Sequence, residues 1–184
     1  MRAIDDIGVS RASFRTTLTY AFTPEIRAGL EWNPAADDLG VIANWRLVDE
    51  TDTRPAVIVG TSSDRIGTDD GRAYYGTLSK SLDDAWGVPV SPYVGLSWGG
   101  SDHVWRGIGG LNVRWSESWT TSHLWDGVNL HHLLDRRLES GHSVGLLLAE
   151  QEGEHFWGLT WSWAFGLGDD GDAAQSGEHA DTGH

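Results

Sequence analysis

Large apolar side chains recur at every second position along most of the chain. This period of two is the mark of strands with unlike faces. Residues 12–22 place Ala12, Phe14, Thr16, Leu18, Tyr20 and Phe22 in one phase and Arg11, Ser13, Arg15, Thr17 and Thr19 in the other. Residues 25–32 set Ile26, Ala28, Leu30 and Trp32 against Glu25, Arg27, Gly29 and Glu31. Residues 41–48 set Val41, Ala43, Trp45 and Leu47 against Asn44 and Arg46. The alternation predicts further strands over 55–63, 72–82, 91–100, 110–120, 142–151 and 155–166, with Glu117 out of phase in the 110–120 segment. Over 128–138 the apolar positions Val128, Leu130, Leu134 and Leu138 suit a strand or a helical stripe equally.

Thr23-Pro24 marks a tight turn, and longer polar loops fall at 33–40, 49–54, 63–71 and 99–106. The expected fold is therefore all-β: an antiparallel up-and-down meander of about 8–10 strands. A long meander removes its exposed edges by closing, so a closed or nearly closed barrel is expected. The chain of 184 residues suits one domain, which the pattern assigns to 1–167.

Alternation does not say which face is inside. A soluble barrel turns its apolar face inward, whereas a membrane barrel turns it outward to lipid and fills its lumen with polar groups. Three features favour the second arrangement. The polar phases carry Arg15, Arg27, Glu31, Arg46 and Arg114 among small residues, as suits a narrow lumen of paired charges. Aromatic residues gather near strand ends, at Trp32, Trp98, Trp105, Trp125, Trp157 and Trp163. The mean hydropathy is −0.34 although the strands alternate cleanly. On this reading Trp157, Leu159, Trp161, Trp163 and Phe165, with Trp115 and Trp119, form outward ridges that meet lipid or a large apolar protein partner.

Charge narrows the partners. The net charge is −14 and the pI near 4.7, which excludes sequence-independent nucleic-acid binding by a basic surface. Five of the 27 acidic residues lie in 168–184, which holds no Lys or Arg, so that stretch reads as a solvated, flexible tail. There is no cysteine, and no apolar run is long enough for a transmembrane helix. The first 14 residues lack the apolar core of a secretory signal, which leaves two readings: a cytoplasmic chain, peripheral on a membrane complex, or a chain that begins after processing.

Residues 55–82, "PAVIVGTSSDRIGTDDGRAYYGTLSKSL", resemble the strand–loop–strand segment of a family of Gram-negative outer-membrane β-barrels associated with exopolysaccharide or capsule loci. Residues 107–134 resemble a second segment of that family, with Gly109, Gly110, Trp125, Asp126, Gly127 and Asn129 at matching positions. His123 and Leu124 stand where the family has an acidic and an aromatic residue. The resemblance implies a β-barrel in the outer membrane with a structural or interaction role.

Catalytic signals are weak. His131 and His132 are adjacent, so on a strand they face opposite sides, and His123, His142 and His155 lie on other segments. The pairs Asp37-Asp38, Asp69-Asp70 and Asp83-Asp84 read as loop charges. Residues 64–71 lack the ligand spacing of a calcium loop. Residues 95–99 fit G-x-S-x-G, but no helix follows to make a nucleophile elbow. The expectation is a non-enzymatic protein with no metal and no cofactor, in the outer membrane. The alternatives are an accessory sheet subunit of a larger membrane complex and a soluble sugar- or small-ligand-binding barrel.

Overall fold

The computed structural model describes residues 1–82 and 87–165; the predicted tail 168–184 and the Asp83-Asp84 pair lie outside the described residues. The chain is a closed antiparallel barrel in which every strand pairs with its neighbours in sequence and the last returns to the first. The strands are β1 (Arg2–Ile4), β2 (Phe14–Ala21), β3 (Ile26–Asn33), β4 (Asp38–Val48), β5 (Ala56–Ser63) and β6 (Arg72–Ser79). They continue as β7 (Val90–Gly99), β8 (Trp105–Arg114), β9 (Trp119–Trp125), β10 (Leu130–Arg137), β11 (His142–Gln151) and β12 (Glu154–Trp163). Closure is made by the short β1, where Ala3 pairs with Leu159 on one side and Phe14 on the other.

The fold class agrees with the sequence, and the strand count is twelve against the expected 8–10, with two physical reasons for the excess over the ten alternating segments. The three residues of β1 are too few to show a period. The predicted 110–120 strand contains a turn, in which the Trp115 N–H donates to the Trp119 carbonyl at 3.0 Å, and the out-of-phase Glu117 lies in that turn. The ambiguous 128–138 segment is a strand, β10. The predicted 12–22 strand begins later, because Ser10–Ser13 form one helical turn, α1.

The turns follow from local chemistry. Thr23 Oγ1 accepts from the N–H groups of Glu25 and Ile26 at 3.2 and 3.1 Å, closing the β2–β3 turn. Glu152 and Gly153 both take positive φ, +54° and +82°, the signature of a two-residue hairpin turn whose twist matches its strands.

The two ends differ. One end carries α1, the 34–36 3-10 turn and the loops 64–71, 100–104 and 126–129. Here Ile4, Ile7, Ala12, Ile66, Leu147 and Ala149 form a small buried apolar cluster. Arg11 locks the 64–71 loop to α1: Nε donates to the Thr68 carbonyl at 3.0 Å and Nη1 to the Gly71 carbonyl at 2.8 Å, with Nη2 bonding the Thr68 hydroxyl. This is a plug. The other end carries the turns 22–25, 115–118 and 138–141.

Candidate functional site

The site has two parts, an outer apolar surface and a polar lumen, and strand alternation assigns each side chain to one of them. The exposed side of the barrel is the apolar one. Trp157, Leu159, Trp161, Trp163 and Phe165 are all exposed, as are Trp115 and Trp119. Exposed Leu18, Leu30, Val41, Val94, Leu96 and Leu146 extend the same surface around the barrel on five further strands.

The aromatic residues form two rings. Trp32, Tyr74, Trp98, Trp105, Trp125 and Trp157 stand toward the plugged end, where register places Trp98 beside both Tyr74 and Trp105. Tyr20, Phe22, Trp45, Trp115, Trp119, Trp163 and Phe165 stand toward the open end. Among the described residues, no outward strand position between the rings holds Asp, Glu, Lys or Arg. Arg136, 5.3 Å over the Trp119 ring, marks one margin and Glu150 the other.

The inward face is polar and paired. Glu31 is fully buried; its carboxylate lies 3.2 Å from Arg15 and 3.6 Å from Arg72, and Asn33 donates to it at 3.3 Å. The Arg72 guanidinium passes over Gly40, where a Cβ would collide with it, and reaches the Val41 carbonyl. Tyr75 and Tyr93 lie against their directly paired glycines, Gly60 and Gly110. A Cβ at either glycine would strike the ring, so these glycines let the phenols lie flat along the wall rather than fill the lumen.

A second network closes the β9–β10 turn. Asp126 Oδ1 accepts from the N–H groups of Val128 and Asn129, both at 2.8 Å, and Gly127 takes φ +95°. His131 Nδ1 accepts from the Glu150 N–H at 3.2 Å, so Nε2 is the nitrogen that donates to Asp126 at 3.1 Å. Burial pushes the Asp126 carboxyl up, but the bonds from His131 and from the Asn129 and Val128 N–H groups outweigh it and hold its pKa below the ordinary value.

A cavity of about 440 Å³ remains in the lumen. A barrel of twelve strands is wider than the eight-stranded kind that side chains fill. Of the five predicted lumen residues, Arg15, Arg27 and Arg114 line the cavity, Glu31 lies buried in the wall behind Arg15, and Arg46 stands at the open rim, 2.7 Å from Asp49. Sequence reasoning passed over Arg2, Tyr75, Tyr93 and Arg137, which also line it. Their phase, shared with the inward Ser and Thr of the same or paired strands, was the available signal.

The histidines split as adjacency requires. His131 is buried inside, while His132 meets His123 on the outer face with their Nδ1 atoms 2.7 Å apart. Among the described residues no group of three or more side chains could hold a metal. The G-x-S-x-G stretch lies within β7 and the glycines of 106–110 within β8, so neither is a loop. Comparison with family models, with curated proteins and with solved structures finds no match.

Proposed function

We propose that this chain is a membrane-spanning β-barrel of outer-membrane type, with a structural or interaction role and no catalytic one. The observation that supports the reading is the uncharged apolar band between two aromatic rings, wrapped around a barrel whose buried charges lie inside. In water such a band would leave a contiguous apolar surface far larger than the few hundred Å² that soluble monomers tolerate. In a bilayer it is the matching solvent, and β4, β7, β8, β11 and β12, with 10 or 11 residues each, have the length a tilted spanning strand needs.

The encirclement also separates this reading from its rivals. An accessory subunit docked on partner helices needs one apolar side, and here the band is carried by strands all around the barrel. A soluble ligand barrel needs the opposite polarity of its two faces. The resemblance of residues 55–82 and 107–134 to outer-membrane barrels of exopolysaccharide or capsule loci points to the same compartment.

The test is partition of the full chain. It should float with phosphatidylcholine vesicles on a density gradient and run faster unheated than boiled in a detergent gel. A monodisperse protein in detergent-free buffer that leaves the vesicles alone would refute the proposal.

A further inference from the structure

We infer that His123 and His132, facing each other on the outer wall, form a binding site for one divalent transition-metal ion of the copper or nickel class, held through both Nδ1 atoms. The inference rests on the β9–β10 ladder, not on the membrane reading.

The first ground is convergence. His132 and His123 stand directly opposite each other in the antiparallel ladder of β9 and β10. Facing positions hold their Cβ atoms only about 5 Å apart, so two rings rooted there share one small volume. Their ring centroids lie 4.9 Å apart with the planes at 71°, and their Nδ1 atoms approach to 2.7 Å. Adjacent His131 and His132 cannot share an ion, because strand neighbours face opposite sides. The partner of His132 comes from the next strand instead, which a pattern along the chain does not reveal.

The second ground is coordination chemistry. A metal about 2.0 Å from each nitrogen sets two cis donors of a square or octahedral shell ~2.8 Å apart, and two donors of a tetrahedral shell ~3.3 Å apart. The observed 2.7 Å matches the first arrangement, which Cu(II) and Ni(II) favour, rather than the tetrahedral one of zinc. Imidazole also suits these ions better than calcium or magnesium, which take oxygen. At 2.7 Å one Nδ1 donates its hydrogen and the other accepts it. Binding moves that hydrogen to Nε2 of the donor ring: the N–H bond at Nδ1 breaks, one at Nε2 forms, and two nitrogen–metal bonds form with no net proton lost.

The third ground is the surroundings. Leu111 on β8 stands beside His123, and Leu148 on β11 stands beside His132, so apolar side chains wall the pair on both flanks. Among the described residues no third side chain joins them in a metal-holding group, so water fills the remaining positions. His123 lies two residues from Trp125 in the ring at the plugged end. That is about 5 Å along the barrel axis, close enough to the headgroup level for water to reach the ion. Glu150 Oε2 accepts from the Leu130 N–H at 3.1 Å, two residues from His132, and so brings a carboxylate to the same margin.

The experiment is calorimetric titration of the untagged full chain in nonionic detergent micelles with nickel chloride, and with magnesium chloride as the oxygen-seeking control. Nickel should occupy one site per barrel that His123→Gln and His132→Gln each weaken at least tenfold, while circular dichroism keeps the wild-type β-signal; magnesium should be silent. One equivalent of copper(II) should show electron paramagnetic coupling to two imidazole nitrogens, and the double variant should lose it. The other histidines, His179 and His184 among them, are kept in every variant, so an ion held there reads as unchanged binding. Nickel affinity unchanged in the folded single variants would overturn the inference, as would a copper signal that the double variant leaves intact; either result reduces the pair to a hydrogen bond. The titration succeeds or fails whether or not the chain floats with vesicles, so the two readings fail separately.

Discussion

Val94→Arg separates a bilayer from water at a single position. Val94 is 62% exposed on the outward face of β7, with Leu78 and Gly109 directly beside it on the neighbouring strands. It stands four residues from Trp98 in the ring at the plugged end. Four residues rise about 13 Å along a strand, or roughly 10 Å along the barrel axis at a tilt near 40°, which is close to the middle of a band about 25 Å tall. Gly109 leaves space beside the side chain, so an arginine there meets no packing obstacle. If this face meets water, the substitution is a surface change worth within about 0.5 kcal/mol. If it meets lipid, an arginine near the midplane costs about 2–4 kcal/mol, a roughly 30- to 700-fold fall in the folded-to-unfolded ratio. Val104→Arg, in the 100–104 loop beyond the ring, is the control and should cost nearly nothing. The assay is reversible urea unfolding of the full chain in phosphatidylcholine vesicles, followed by tryptophan emission. Equal midpoints for Val94→Arg and Val104→Arg would refute the assignment of the apolar face to lipid.

Three further outcomes follow from the interior and the rims. Glu31→Gln strips the shared partner from Arg15 and Arg72 and should destabilise the barrel by about 3–5 kcal/mol, read as a lower urea midpoint, because buried Arg15 and half-buried Arg72 lose the carboxylate between them. Arg11→Ala removes the latch on the 64–71 loop, costs on the order of 2–3 kcal/mol by leaving buried carbonyls unpaired, and should give planar-bilayer conductance that the wild type lacks. The Arg106 guanidinium, with the Val104 N–H and Arg65, outweighs burial at Asp102 in the 100–104 loop and brings its carboxyl from 3.8 to about 2. Its folded value lies below the unfolded one, so these contacts contribute fully above about pH 4 and are lost as pH falls toward 2. The hydrogen-exchange protection factor at Val104, the rate relative to an unstructured amide at the same pH, should fall across that window and stay constant across neutral pH.

The barrel was legible in the sequence because a strand's two faces are written in consecutive residues. Leu18 beside Thr17, or Trp32 beside Glu31, shows a difference of environment without any knowledge of partners. Closure was legible as well, since a meander of this length must hide its edges. The plug was not legible. Arg11 reads as one more polar position of a strand, and its role depends on carbonyls at Thr68 and Gly71, nearly sixty residues away. Arg72 was missed for the same reason: its guanidinium crosses from β6 over Gly40 to reach Glu31 on β3, a path that strand phase does not encode. Local periodicity reports the face of a residue, whereas function inside a barrel depends on which strands curve round to meet.

Strand number links these levels. With twelve strands the wall encloses more space than its inward side chains need, and Tyr75 and Tyr93, flattened over Gly60 and Gly110, preserve that space instead of filling it. A wide lumen lined by cations would repel itself if left without anions. At the plugged end the chain supplies one, Glu31, between Arg15 and Arg72. Toward the mouth Arg2, Arg27, Arg114 and Arg137 share the lining with Glu117 and Asp135. Gly110→Ala should lower the urea midpoint far more than Gly76→Ala, because a Cβ at Gly110 meets both the Tyr93 ring and the His123 carbonyl on the paired strand, whereas one at Gly76 meets only Val59 at 3.8 Å; equal midpoints would show that the glycine is not what lets Tyr93 lie along the wall.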